Sequence, residues 1–270
     1  IVARPFKVFL ATLVILMSIS LPLFSLRLTP SSISAIPKNL ESEKALDLVK
    51  NGAGPGSITP SQILIDLGAS GASQNFENAR TDLVNKLSAD PEIFLVATGT
   101  KSPYVDVSGR YLRMYLVGKH DLGSPKTSRL VERVRHVLAT DSNFGPQSKL
   151  YLGGAPAQGW DLMHALLKSL PWIVLTILFF TYIVLYRIFS SVFLPLKAIF
   201  LDLLSIGAAI ASIVALMRFE SYHLNQVEAW VLIFLFAALF GITMDYEVFI
   251  VSRIREAWDE GFNNNDAIVE

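Results

Sequence analysis

Four long apolar runs constrain this chain more than any other feature of its sequence. A helix needs about 20 apolar residues to cross a hydrocarbon core of about 30 Å. Runs of that length lie at about Phe6–Leu26, Leu170–Phe189, Leu194–Met217 and Ala229–Val251. The composition agrees, because 52% of the residues are hydrophobic and the mean hydropathy is +0.46, above an ordinary soluble domain. The sequence therefore predicts an integral membrane protein with four transmembrane helices.

The positions of Lys and Arg predict the orientation, because these residues collect in cytoplasmic loops. One side of the predicted membrane carries Arg4, Lys7, Arg187, Lys197, Arg253 and Arg255, whereas the other carries Arg27 and Arg218. The first run is too long for the apolar core of a signal peptide, so we expect residues 1–28 to stay as a transmembrane helix. Residues 29–169 would then lie outside the cytoplasm, 170–251 would form three more transmembrane helices, and 252–270 would be a cytoplasmic helical segment.

The segment 29–169 alternates strand and helix patterns. The pattern predicts, in chain order, strand Gln62–Leu67, helix Asn75–Leu87, strand Ile93–Thr98, strand Tyr111–Lys119, helix Ser128–Ala139 and strand Lys149–Leu152. That order is typical of a ferredoxin-like, split βαβ unit. We read Thr29–Pro37 as a linker and Asn51–Gly56 as a loop. The predicted fold class is an α+β membrane protein, with four transmembrane helices and one extracytoplasmic subdomain.

Several function classes are disfavoured. With 23 Lys plus Arg against 23 Asp plus Glu, bulk charge gives no reason to expect nucleic acid as a partner, and the absence of cysteine excludes disulfides and zinc-cysteine sites. His120, His136 and His164 do not indicate a metal site, because none of them has a partner at i+4 or a cluster of acidic residues around it. A nucleophile elbow is missing around Ser57, Ser61 and Ser70. We therefore predict no enzyme, no metal and no cofactor. The aromatic residues Tyr104, Trp160 and Trp172 could either anchor the protein at the membrane interface or line a groove for lipid.

Asp245 is the leading candidate for chemistry, because an ionisable group in a spanning helix costs from about 3 to more than 10 kcal/mol and is functional by default. Gly241, one turn earlier, leaves room for another helix, and Ser252 continues the polar stripe at i+7. The neighbouring phenol of Tyr246 can donate a hydrogen bond to the carboxylate. We expect Asp245 to face a bundle interior and, together with Tyr246, to form part of a proton relay, although a structural ion pair is the alternative for Asp245.

Three other groups are interpreted differently. Glu247, at i+2 from Asp245, is expected to point elsewhere and to reach the headgroups. Arg253 and Arg255 are expected to anchor the helix at the interface. Asp202 interrupts the third run, and the sequence leaves open whether it makes a polar helix contact or takes part in transport.

The motif Met244–Phe249, followed by Ser252–Glu256, resembles the signature of the MmpL branch of the resistance-nodulation-division (RND) transporters, in its second half. Further matching stretches are Gly153–Ala155, Leu170–Pro171, Leu194–Ala198 and Leu204–Ser205. The resemblance implies an inner-membrane exporter of lipids or other amphiphiles, driven by protons through paired Asp-Tyr sites, of which Asp245 and Tyr246 match one. At the position of Asp202 such sequences more usually carry an amide, so an acid there could alter the proton exit.

The resulting prediction is proton-driven export of hydrophobic or amphiphilic molecules across a bacterial plasma membrane. Its partners would be membrane lipids, the cargo and the other half of the same transporter, which the chain, beginning at Ile1 and ending at Glu270, is expected to lack. Gly241, Ser252 and Asp202 are candidate supporting residues, and the proton gradient would be the energy source. The alternative is a sterol- or lipid-sensing protein that shares the membrane fold without transporting.

Overall fold

The computed structural model describes residues 4–30, 39–68, 76–219 and 226–269. The chain divides into a helical unit, Ile1–Leu28 with Leu166–Glu270, and an α/β unit, Thr29–Ala165. The elements are, in order, α1 (Pro5–Ser20), β1 (Arg27–Thr29), α2 (Glu41–Ala53), β2 (Ser61–Asp66), α3 (Glu77–Ser88), β3 (Ile93–Ala97), β4 (Tyr111–Gly118), α4 (Pro125–Thr140), β5 (Lys149–Gly154), α5 (Ala155–Phe189), α6 (Phe193–Phe219), β6 (Gln226–Glu228), α7 (Ala229–Asp259) and α8 (Asn264–Val269).

Within the described residues, four helices are long and apolar enough to cross a membrane: α1 with the 3₁₀ turns that follow it to Ser25, α5, α6 and α7. Large apolar side chains cover their outer surfaces, as expected for helices whose solvent is hydrocarbon. The four predicted spans are therefore present, and the chain is a multi-pass membrane protein.

Two of these helices are longer than their apolar runs predict. We expected the second span to open at Pro171, but α5 begins at Ala155 and carries that proline in its interior. A proline removes one backbone hydrogen bond, which transmembrane helices tolerate. The fourth span was expected to end near Val251, whereas α7 continues to Asp259. In both cases apolarity marks the membrane-embedded part of a helix and not its end.

The helical unit packs around α6, which contacts α1 on one side and α7 on another. Small residues allow the first contact, because Gly207 of α6 lies against Ser20 and Leu23 near the end of α1. Apolar clusters join the other helices: Leu185 and Phe189 of α5 pack with Ala198 of α6 against the inner face of α7. That arrangement decides which face of α7 is covered and which is open.

The α/β unit contains a four-stranded antiparallel sheet in the order β3-β4-β2-β5. The elements follow the predicted order of strand, helix, strand, strand, helix and strand. Alternate residues of β2 and β4 point into a core that α3 and α4 complete. Its most deeply buried side chains are Ile63, Ile65, Leu83, Leu87, Met114 and Leu116. The period-2 alternation in the sequence is what makes this face of the sheet apolar.

The segment before β2 differs from its prediction. We expected Asn51–Gly56 to be a loop, but its first three residues end helix α2, which the sequence analysis missed. A 3₁₀ turn at Pro55–Ser57 follows. Glycine is required within it, because a Cβ on Gly56 would lie 2.0 Å from the carbonyl oxygen of Gly118. Most of the predicted linker Thr29–Pro37 lies outside the described residues, and Thr29 itself belongs to β1.

Candidate functional site

Helix α7 presents Asp245 and Tyr246 on its open face. Both side chains are exposed in the helical unit, Tyr246 with 66% of its surface. Gly241 lies one turn before Asp245, and, the backbone of its own helix aside, no atom of the described residues lies within 4 Å of the place a Cβ would take. Ser252 is exposed as well. We expected Asp245 to face a bundle interior; among the described helices it faces outward.

The opposite face of α7 packs on its own bundle. Met244, Val248 and Val251 lie against α5 and α6. Thr243 and Glu247, one helical turn apart, follow the same side and are half-buried. The helix therefore has polar residues on an open face and on a packed face, and Asp245 and Glu247, at i and i+2, point about 160° apart.

Asp202 of α6 is also buried, with only 7% of its surface exposed. Thr243 lies within hydrogen-bonding reach of it, and Glu247 lies close enough for the two carboxylates to interact electrostatically. Oxygen Oδ2 of Asp202 and oxygen Oε2 of Glu247 are buried and have no hydrogen-bond partner within the described part of the chain. The structure thus brings together Asp202, Thr243 and Glu247, and not Asp202 with the open face of α7.

The expectation that Glu247 reaches the headgroups is wrong. Its position at i+2 does turn it away from Asp245, but the side chain is half-buried in the helical unit and its oxygen Oε2 is fully buried. A signal for this was present in the sequence. Thr243 and Glu247 form an i, i+4 polar pair, and Asp202 supplies a polar residue on a neighbouring span.

The basic residues after the apolar part of α7 make specific contacts. Arg253 forms an ion pair with Glu256, at 2.6 Å. Arg255 donates a hydrogen bond of 2.9 Å to the carbonyl of Ile188, in the last turn of α5. Because the final carbonyls of a helix lack partners within it, Arg255 caps α5 as well as lying at the predicted interface.

The candidates in the α/β unit take structural roles. Trp160 stacks on His164, receives the guanidinium of Arg135 over its ring and donates a hydrogen bond to Glu132. His120 contacts Glu92. Within the described residues, no group of three or more His, Asp or Glu side chains is arranged to hold a metal ion.

The carboxylate of Asp66, at the end of β2, forms an ion pair with Arg110. Arg110 binds Asp66 through two bonds, of 2.7 and 2.9 Å, and lowers the pKa of that carboxyl to about 2. Asp66 is therefore ionised and occupied by its partner, so it offers nothing for proton transfer near neutral pH.

Comparisons with known proteins identify related chains. The model of the MMPL family matches residues 34–270. The heme uptake protein MmpL11 of Mycobacterium tuberculosis is 25% identical over 275 residues, covering 98% of this chain and 27% of MmpL11. The trehalose monomycolate exporter MmpL3 of the same organism is 31% identical over 123 residues, covering 43% of this chain and 13% of MmpL3.

A membrane protein of Streptomyces coelicolor is 25% identical over 264 residues, which cover 94% of this chain and 34% of that protein. The chain thus spans about a third or less of the length of these relatives.

Proposed function

This chain belongs to the MMPL family, and from that membership we propose that it forms one half of a proton-driven exporter of lipids or other amphiphilic molecules. The family consists of membrane transporters, and one relative is named for export of trehalose monomycolate while another is named for heme uptake. Those cargoes are properties of the relatives. For this chain we propose only the class, a molecule with both an apolar and a polar part.

The observation that carries the proposal is the open face of α7. Asp245 lies in an apolar spanning helix, yet none of the described helices covers it. A carboxylate turned toward hydrocarbon is costly, so a second group of helices is expected to pack on this face. Gly241 supports that arrangement, because it leaves space for the backbone of another helix beside the acid. The other half of the transporter is the partner we propose for this surface.

In the covered site, Asp245 would take up a proton on one side of the membrane and release it on the other. Burial against the second half would allow the side chain of Asp245 to exist in its protonated, neutral form. After the proton is released, the hydroxyl of Tyr246 would stabilise the carboxylate. Ser252 would continue the polar path toward the basic end of α7. Only the proton gradient is needed as the source of energy, since no step requires a bound cofactor.

We further propose that the α/β unit is a ferredoxin-like porter subdomain outside the cytoplasm of a bacterial inner membrane. The strand order β3-β4-β2-β5 with two helices on one face supports the assignment of the subdomain. The Lys and Arg distribution supports its side of the membrane. There the subdomain would contact amphiphiles that arrive from the outer leaflet.

The test replaces Asp245 by Asn in the full-length transporter, reconstituted in vesicles with a pH gradient. The amide keeps the volume of the side chain but cannot titrate. We expect cargo movement and coupled proton flux to fall to the level of empty vesicles. The matched control is Asp259→Asn, the same change at an exposed position beyond the apolar part of α7, which should transport like the unmodified protein.

Expression, membrane insertion and monodispersity of both variants must match the unmodified protein before the fluxes are compared. Proton-dependent transport at a normal rate by the Asp245→Asn variant would overturn the proposal. A variant that failed to insert would instead identify Asp245 as a structural acid, because removing one member of a buried ion pair is strongly destabilising.

A further inference from the structure

The contact between α6 and α7 holds two carboxylates that the proposed relay does not use. We propose that Asp202 and Glu247 share a single proton, so that this contact is a second proton-binding site, separate from Asp245. The ligand of the site is the proton itself, held between two acids on neighbouring helices.

The geometry places both acids in one packed layer. Asp202 lies between Ala198 and Ile206 on the buried ridge of α6, and all three are at most 7% exposed. Its position is nine residues into α6, roughly 14 Å from the start of the helix at 1.5 Å per residue, well inside the apolar span. Ala198 lies in an apolar cluster with Met244 and Val248 of α7, and Ile206 lies in a cluster with Phe240 and Met244, so Asp202 faces the turn of α7 that carries Thr243 and Glu247.

The unpaired oxygens of the two acids are the observation from which we infer the proton. Each acid has one buried oxygen without a hydrogen-bond partner in the described part of the chain. An unpaired buried carboxylate is costly, and two of them side by side also repel each other. A proton on one acid removes one charge and provides a donor for the other, which satisfies both oxygens at once. The hydroxyl of Thr243 bonds the carbonyl of Leu239 at 2.9 Å and can rotate toward Asp202.

The surrounding charges do not provide an alternative partner. Lys197, in the first turn of α6, is the cation that acts on Glu247. It is exposed, however, and its Nζ lies 6.0 Å from the ring centroid of Phe9. The ionisable groups on the neighbouring helices are Lys7 on α1 and Asp161, His164, Lys168, Tyr182, Tyr186 and Arg187 on α5. Within the described residues, none of them is hydrogen-bonded to the two buried oxygens. A metal ion is not favoured, since two carboxylates and one hydroxyl make a small ligand set.

The pair is independent of the open face of α7. Asp245 and Glu247 point in directions about 160° apart around the helix axis, so a second half of the transporter could cover one without touching the other. Protonation of the pair is also a property of the resting protein. Its test therefore requires no transport, and its failure can be distinguished from failure of the proposed function.

The experiment records infrared difference spectra of the full-length protein in lipid during a pH titration, and follows the carbonyl stretch of protonated carboxyl groups. The variants are Asp202→Asn, Glu247→Gln and the double change, with Asp245→Asn and Asp259→Asn as controls. We expect a band that persists into alkaline pH in the unmodified protein and in both controls. Either single change at the pair should abolish it, and the double change should remove no more than a single one.

Losses that add up in the double variant would show two independent acids and overturn the proposal. A band that survives both single changes would overturn it too, as would a band removed by adding sodium at constant pH, which would indicate a cation site. Thermal unfolding gives a second measurement. The midpoint of the unmodified protein should fall at alkaline pH, where both acids become charged, whereas the single amide variants should keep theirs; equal shifts would contradict the shared proton.

Discussion

Asp245 and Glu247 are two residues apart and meet opposite environments, because successive residues of a helix turn by about 100°. Asp245 lies on the open face of α7 and needs a partner from outside the described helices. Glu247 lies on the packed face, where the charge of Asp202 acts on it. The two acids therefore pose different physical problems, and the structure supports a different solution for each.

Tyr246 provides the first prediction at this scale. Replacement by Phe removes only the hydroxyl, which is expected to stabilise the Asp245 carboxylate by about 1 kcal/mol, as a typical hydrogen bond does. Transport by the Tyr246→Phe variant should slow roughly five-fold or shift its pH dependence, without being abolished. Initial rates of proton-coupled transport across a range of pH values measure this.

The matched control is Tyr186→Phe, which removes a hydroxyl from another exposed tyrosine in a spanning helix. It should leave both the rate and the pH profile unchanged. Identical profiles for the Tyr246→Phe variant and the unmodified transporter would remove Tyr246 from the proton path.

Residues of this kind are only partly predictable from sequence. Asp245 is recognisable because it interrupts an apolar run and lies in a known motif. The role of Asp202 remains ambiguous in the sequence, because the sequence does not show which helix packs against the face of α6 that carries this residue. Glu247 was misread, because its i, i+4 pairing with Thr243 indicates a polar stripe on the helix but not which neighbouring helix that stripe faces. That information is tertiary.

At the scale of elements, α7 is a helix with two interfaces. One is complete within the helical unit and is built from Met244, Val248 and Val251. The other runs through Ala237, Gly241 and Asp245, residues spaced four apart and all exposed. Small residues at this spacing allow helices to approach closely in a membrane. The stripe is thus suited to a helix contact that the described residues do not supply.

A size series at Gly241 tests this contact. Apart from the backbone of α7 itself, no atom of the described residues lies within 4 Å of a Cβ at this position, so Gly241→Ala and Gly241→Leu should not disturb the helices described here. If a second half packs on the stripe, transport should fall with side-chain size, modestly for Ala and by at least ten-fold for Leu. Transport assays measure the loss of the contact with the second half, and thermal unfolding measures any loss of stability of the helices themselves.

Ile183→Leu serves as the control, because it changes shape without volume at an exposed position of α5. Full activity of the Gly241→Leu variant would mean that no helix approaches this stripe closely.

The elements themselves were predictable to different degrees. The four strands and two helices of the sheet unit follow from their periodicity, which tertiary packing preserves. Helix α2 was missed because its sequence is polar and its only buried residue is the acid Glu43. The extra length of α5 before Pro171 was missed because Lys168, His164 and Asp161 interrupt the apolar run, although a helix needs no apolarity on its exposed faces.

At the scale of the whole molecule, the chain combines a membrane unit and an α/β unit whose two boundaries lie close to the ends of apolar runs. Composition along the chain is sufficient to separate the two units, because a surface in contact with lipid is apolar and a surface in contact with water is polar. It does not determine on which side of the membrane the α/β unit lies. That depends on the asymmetry of Lys and Arg, which acts during insertion.

The orientation can be tested with single cysteines, since the chain has none of its own. Ser142 is exposed in the α/β unit, and Ser190 is exposed between α5 and α6, beside Arg187 on the basic side. An impermeant thiol reagent added to intact cells should label Ser142→Cys fully and Ser190→Cys only after the membrane is permeabilised. Serine-to-cysteine changes at exposed positions alter volume little, so both variants should retain transport. If Ser190→Cys were labelled in intact cells and Ser142→Cys were protected, the orientation of the protein would be the opposite of the predicted one. The proton would then have to enter from the end of α7 that carries Arg253 and Arg255, where positive charge opposes its approach.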